Sequence, residues 1–586
     1  MAAQKHFSSI LLTLSLASSA FAQSTKPTQS STAAKPATNA SAALELAAAS
    51  NRTIYYNGKV FTSNEQHLWA EGVVVDDSII VAVGTTQLVL AFNKAGTTLV
   101  DLKGATMIPG FNDAHVHPFD STLLPGAVIL NLATDFLPNP GPSLADILTL
   151  VRRAAAENPP GTWLMASIGT NVVEDPKATR LALDEAAPNH PVLLAPWFGH
   201  GTLINTKAMQ IVGIGEQEPD PVGGFYDRFP GSKVINGVLH EYAEHQLRRF
   251  FASQITDQEF RAIYERFATG AARVGYTSVQ EMSVGVPQAR HLELIAQSNI
   301  PIRWRAICFP LSLDEPCDVP AQFSSARPFP RLTASGIKWI ADGTDIERLA
   351  FLREDYADAP GVRGQPNFPT DVLDQQLKRS INGPILETQP LFHTVGDATA
   401  DMILDRMSAV ASDAQWRGRR PRIEHGTLLR QDHYESARNK GAFIVQNPVH
   451  FALAPIAAVR FSPDQLADVD PMRSLLKAGI KVALGSDAVV APGNPFLDLF
   501  FALIQPTHPS EALTIEQAVI AYTRTSAEAE FQEAWKGTIE PGKLADLVVL
   551  SQDIFHVAPP DILRTQALLT IVGGKVVYAA GTATAP

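Results

Sequence analysis

Cysteine is almost absent from this chain: 586 residues include two, Cys308 and Cys317, in the segment "ICFPLSLDEPCDV". That is too few for a disulfide scaffold, and the pair lacks the CxxC spacing of a thiolate metal site. One short-loop bridge in an oxidising compartment and two free thiols both stay open. No run rich in lysine and arginine occurs, and the formal net charge is −12 with a pI near 5.7. Phosphate binding needs a basic face, so a nucleic-acid partner is excluded. Apolar runs long enough for the roughly 20 residues of a membrane span are missing too. No G-x-S-x-G elbow stands at a strand-to-helix turn, which disfavours a serine hydrolase. A small molecule is the expected partner, with homo-oligomer formation left open.

At the N-terminus, Lys5 precedes the apolar "FSSILLTLSLASSA", and Ala20-Phe21-Ala22 offers a small-x-small cleavage pattern before Gln23. Residues 1–22 read as an export signal, which sends the mature protein to the periplasm or outside the cell and leaves no membrane attachment after cleavage. Residues 23–50 are rich in Ser, Thr, Ala and Pro, cannot build a core, and read as a low-complexity linker.

The rest is 45% hydrophobic overall, enough for a large core. Its two ends are alike: "TIYYNGKVFT" and "GVVVDDSIIVAVG" at the front, "ADLVVLSQ" and "LLTIVGGKVVYAAG" at the back, are short β-rich runs broken by tight-turn residues. They predict one small β-sandwich assembled from residues 51–108 and 535–586. Between them, residues 109–534 alternate short apolar runs with helical patterns such as "DMILDRMSAVA" and "TIEQAVIAYTRTSAEA", the latter opened by the capping-box-like pair Thr514 and Gln517. Strand–helix alternation at this length predicts an α/β fold, a (β/α)₈ TIM-like barrel enlarged beyond the usual ~250 residues. The Pro- and Gly-rich stretch at about 130–260 is the natural insertion.

In "GFNDAHVHP", His115 and His117 are two residues apart, so on a strand they project together. At the C-terminal end of a barrel strand they would face the mouth, where active sites of this fold lie. Four further residues stand at the ends of apolar runs: Lys338 in "GIKWIADG", His393 in "PLFHTVGDA", His425 in "RIEHG" and Asp487 in "ALGSDA". Singly, each suits a bland structural role. Six in this order form a ligand inventory, and imidazole with carboxylate suits zinc and similar divalent ions.

Together "GFNDAHVHP", "GIKWIADGT", "HTVGDATADMIL", "RIEHGTLLR", "NPVH", "LGSDA" and "GTIEPGKLADLVVLSQD" resemble the amidohydrolase superfamily, most closely its YtcJ-like amidohydrolase-3 branch, over about Tyr55 to Tyr578. The resemblance implies a metal-bearing barrel beside a β-sandwich. It implies that His115, His117 and Asp487 bind the more buried ion, His393 and His425 a second, and that Lys338 is carboxylated to bridge the two. Asp487 doubles as the catalytic base. The segment "DGTDIERLAFLRE" after Lys338 departs from the small, Ser/Gly-rich stretch usual there, and this difference falls on the substrate pocket.

A divalent ion lowers the pKa of water towards ~7 and polarises a carbonyl. The expected function is therefore hydrolysis of amide-like, non-peptide C–N bonds, with ester or lactone cleavage as the alternative within hydrolases. An inert exported binding protein, the alternative of another class, should have lost a ligand or the Asp, and this chain keeps them. His450 in "NPVH" is a candidate to hold the oxyanion or to support a ligand, and His200 in "FGHGTLIN" either reaches the pocket from the insertion or serves structure.

Overall fold

The structure, a computed structural model, describes residues 52–119, 124–131, 140–282, 284–324, 330–488 and 490–581. The expected export signal and linker lie outside the described residues.

Eight parallel strands make the centre: β1 (Phe111–Val116), β2 (Tyr276–Met282), β3 (Arg303–Cys308), β4 (Leu332–Ile340), β5 (Pro390–Thr394), β6 (Arg422–His425), β7 (Phe443–Gln446) and β8 (Lys481–Leu484). Each pairs with its neighbours in chain order. β1, β2, β3, β5, β6 and β7 are buried along their whole length. Burial on both faces explains why these runs read as continuously apolar rather than alternating. The sheet closes on itself where Val116 meets Ala488 in a parallel bridge. There the Asp487 N–H donates to His115 O over 2.8 Å, and the His117 N–H donates to Ala488 O. Gly485 permits this approach, since a Cβ at that position would lie 2.6 Å from His115 N and 2.7 Å from His115 Cβ. The barrel is a TIM-like one.

Strands from both chain ends build two facing sheets. One runs Ile79–Gly84, Gly72–Asp76, Arg52–Tyr56, Thr98–Asp101. The other places Leu547–Leu550 antiparallel to Thr106–Pro109, so the last part of the chain pairs with the first. Val60, Val73, Ile80, Met107, Leu547 and Ile571 share one core between them. Arg303 at the start of β3 fastens this unit to the barrel by a two-pronged, buried bond to Asp546, at 2.6 and 3.0 Å.

Between β1 and β2 the chain makes a second sheet of six strands, reaching from Val128–Asn131 to Ile235–Glu241. The Pro/Gly-rich composition had suggested only connecting loops there. Its Gly residues instead punctuate short strands, and Leu164, Leu183, Val192, Leu194 and Leu203 give it a core of its own. Among the described residues no helix is long and apolar enough to cross a membrane. Cys308, the last residue of β3, is joined to Cys317, which settles the question that spacing left open.

Candidate metal centre

The ends of β1, β4, β5 and β6, with the segments after β7 and β8, converge on one buried pocket of imidazoles. His115 Nε2 lies 3.2 Å from His117 Nε2 and 3.5 Å from Asp487 Oδ1, and His117 Nε2 lies 3.2 Å from the same oxygen. His450 Nε2 stands 3.4 Å from Asp487 Oδ2. Two sets of three ligand atoms fall within 4.8 Å of one another: His115, His117, Asp487, and His425, His450, Asp487. His393 stands beside the second set, its ring 4.6 Å from that of His425. His450 stacks on His425 with ring centroids 5.6 Å apart, so it sits with the candidate ligands rather than at a distance from them. Lys338 is buried on β4, and its charge is felt by His115, His393 and His425. All six residues singled out as ligands are thus drawn together, with His450 among them.

Backbone geometry explains how adjacent residues serve one site. Strand alternation should send Glu424 and His425 to opposite faces. At His425 φ is +66°, a left-handed turn that brings its ring back towards the barrel axis behind Glu424. Asp487, at φ +56°, turns in the same manner just past β8. Non-glycine residues in this region cost on the order of 1–3 kcal/mol each and persist where the surroundings hold them. Here Asp113 helps: its buried carboxylate accepts from Ser486 N at 2.9 Å and Ser486 Oγ at 2.6 Å, fixing the turn that presents Asp487.

Glu424 went unnoticed in the sequence and is central to the structure. Its Oε2 takes a 2.6 Å hydrogen bond from His115 Nδ1, while Arg422 donates to both of its oxygens, at 2.7 and 2.9 Å. That bond fixes the tautomer of His115 and leaves Nε2 with a lone pair facing the pocket. Met282 O plays the same part for His117, 2.7 Å from Nδ1. Burial opposes ionisation of Glu424, and the Arg422 guanidinium outweighs it, holding the carboxyl well below its usual range.

The titration pattern suits cation binding. Burial, then the Lys338 charge, pulls His115 down to about 4, and burial depresses His393 and His425 well below the ordinary imidazole value. Neutral imidazoles are what a metal ion requires. Asp487 keeps its charge: burial opposes it, but the neighbouring His115, His117 and His450 hold it well below the carboxylate range. His393 Nε2 and His425 Nδ1 are buried with no hydrogen-bond partner among the described residues. Orphaned lone pairs in a buried, imidazole-rich pocket fit a divalent ion.

His200 contributes from the insertion. Its ring lies 5.3 Å from that of His393, and its Nδ1 is 2.8 Å from Glu241 Oε1. Burial alone would lower its pKa, but the charge of Glu241 and the bond to it carry it up to about 9.

Known proteins share this architecture. The amidohydrolase family pattern matches residues 98–578. The YtcJ protein of Bacillus subtilis (strain 168) is 26% identical, the match covering 90% of this chain and 99% of that protein. N-substituted formamide deformylase of Arthrobacter pascens is 25% identical, covering 89% and 97%. The crystal structure of an uncharacterized metal-dependent hydrolase from Pyrococcus horikoshii OT3 superposes with a TM-score of 0.65 at 21% identity, over 87% of this chain and 99% of that one.

Substituting Glu424→Gln removes the anion that orients His115 and leaves Arg422 buried without its partner. Loss of such an orienting carboxylate typically weakens metal binding about 10- to 100-fold. A competition titration against a fluorescent zinc chelator should show a drop in that range together with a lower melting temperature. Unchanged affinity would mean that His115 does not depend on Glu424.

Proposed function

The chain belongs to the amidohydrolase family, and from that premise we propose that it is an exported, zinc-dependent hydrolase of small molecules that cleaves amide-like C–N bonds other than peptide bonds. The observation that supports this most is the convergence of His115, His117, His393, His425, Lys338 and Asp487 on one pocket whose buried imidazole nitrogens lack protein partners. His115, His117 and Asp487 would hold one ion, and His393 and His425 a second. Zinc suits the imidazole-rich donor set. Divalent ions bound there supply Lewis acidity and bring the pKa of water towards ~7.

The remaining chemistry belongs to the chain. Asp487, ionised and central to both ligand sets, accepts the proton of the attacking water and passes it to the leaving amine, so one carboxylate serves as base and then as acid. Its left-handed backbone keeps it aimed at the pocket during both transfers. His450, 3.4 Å from Asp487, is placed to donate to the oxygen on which charge develops. Lys338 is brought down to about 8 by burial, against the opposing pull of Glu424 and Asp487. A neutral amine is therefore within reach near neutral pH. Its nitrogen adds to the carbon of CO₂ and loses a proton, giving a carbamate whose two oxygens can bridge two ions.

The amide preference rests on the likeness to N-substituted formamide deformylase. Paired amide and ester substrates of the same acyl group test it: faster turnover of the amides supports the reading, and turnover confined to esters or lactones replaces it. Export rests on the N-terminal segment ending at Ala22, and the Cys308–Cys317 bridge agrees with an oxidising compartment.

Three outcomes follow. Asp487→Asn should keep most of the bound metal yet lose about 10²- to 10⁴-fold in kcat, the usual effect of removing a general base, and a variant of near wild-type rate would rule out its proton-transfer role. Lys338→Ala should lose metal and turnover together, with partial recovery of both in excess short-chain carboxylic acid; full metal content in that variant would show the lysine is no ligand. N-terminal sequencing of protein recovered outside the cytoplasm should begin near Gln23, whereas an intact Met1 confined to the cytoplasm would refute export.

A further inference from the structure

A second cluster of metal-binding side chains lies against the first without belonging to it. His200, Glu241 and Glu347 bring one ligand atom each to within 4.8 Å of the others. Two come from the insertion: Glu241 ends the strand Ile235–Glu241, and His200 stands just before the strand Thr202–Ile204. The third, Glu347, comes from the loop that follows β4. That loop is tied down by Asp342, which accepts from Phe351 N at 3.1 Å and from Val395 N and Gly396 N at 3.0 and 2.8 Å after β5.

The cluster is short of positive charge. Glu241 is 1% exposed, its Oε1 engages His200 Nδ1, and its Oε2 has no hydrogen-bond partner among the described residues. Leaving a buried carboxylate oxygen unpaired is unfavourable by several kcal/mol in general, so such an atom points to a missing partner. The adjacent Glu244 is already committed, to Arg248 at 2.7 Å and to Gly201 N at 3.0 Å. Among the described residues no lysine or arginine pairs with Glu241 or Glu347. Space is kept for an occupant between the two carboxylates. At Gly343 a Cβ would lie 2.8 Å from Glu347 Oε1 and 3.2 Å from Glu241 Oε1, and would crowd the gap.

From this geometry we propose that His200, Glu241 and Glu347 form an additional divalent-cation site that fastens the insertion to the mouth of the barrel. One imidazole nitrogen and two carboxylates are a common donor set for zinc or manganese. On binding, the Nδ1 proton of His200 that now bridges to Glu241 leaves to solvent, and the freed lone pair and the carboxylates take the ion. The ion replaces the missing cation and joins two parts of the chain that otherwise meet through surface pairs. Those pairs lie alongside: Arg348, next to Glu347, reaches Glu174 of the insertion at 3.2 Å, and Arg460 pairs with the same carboxylate. The site would thus be the buried half of a clasp whose exposed half is ionic, and its closeness to His393 would couple closure of the insertion to the main centre.

Crystals of the full protein soaked in Mn²⁺ and measured at the manganese edge test this directly. An anomalous peak bounded by His200, Glu241 and Glu347, separate from peaks at the main centre, is the expected result. Peaks at the main centre alone, at saturating Mn²⁺, would overturn the proposal and leave the hydrolase reading intact. Peaks nowhere would overturn both. After equilibrium dialysis against Mn²⁺, Glu347→Gln should hold one equivalent fewer than the unaltered protein, and an unchanged count would also overturn it. Should that variant fail to fold, the anomalous map of the unaltered protein decides.

Discussion

Everything at the site depends on the seam where β1 meets the segment after β8. The bonds across it, from Asp487 N to His115 O and from His117 N to Ala488 O, both close the barrel and bring the first two imidazoles against the carboxylate between them. Closure and ligand placement are therefore one event. Gly485 and Asp113 are the two features that allow it, the first by yielding space to His115 and the second by holding Ser486. Beneath the seam a chain of charge-assisted bonds runs from His115 through Glu424 and Arg422 to Gln280, which also accepts from Arg305 at 2.9 Å. The floor of the barrel is thus a buried polar network, and it anchors the centre from below.

Much of this was legible in the sequence because parallel strands end abruptly. A histidine or aspartate following an apolar run and preceding glycine stands out, and His115, His117, His393, His425 and Asp487 were found that way. Lys338 stood out for the same reason. Glu424 was hidden because it neighbours His425, and ordinary strand alternation sends neighbours apart. Only the left-handed turn at His425 defeats that rule, and no residue type announces it, since histidine is not a residue that turns favour. The insertion was legible as an interruption but not as a sheet, because its strands are short and its glycines resemble loop punctuation. Glu241 and Glu347 lay beyond reach for a related reason: they come from different elements and meet only through the fold. The joining of Cys308 to Cys317 was likewise a matter of spatial proximity, which a nine-residue spacing permits without requiring.

Strain and electrostatics meet at the same positions. His425, Asp487 and Glu241 all take positive φ, and all three belong to sets of side chains able to bind cations. In each case the surrounding charge is incomplete without a positive ion: carboxylates outnumber their partners, or imidazole nitrogens face one another with nothing between. Such an arrangement is unfavourable for an empty pocket and favourable for a filled one. It follows that ligand binding should stabilise the fold as well as enable chemistry.

The most direct measurement is to strip the protein with a chelator, confirm its metal content by elemental analysis, and follow hydrolysis of an amide substrate as zinc is returned. The account predicts no turnover in the stripped protein and a rise in proportion to bound ion. Full turnover in protein shown to be free of metal would contradict it.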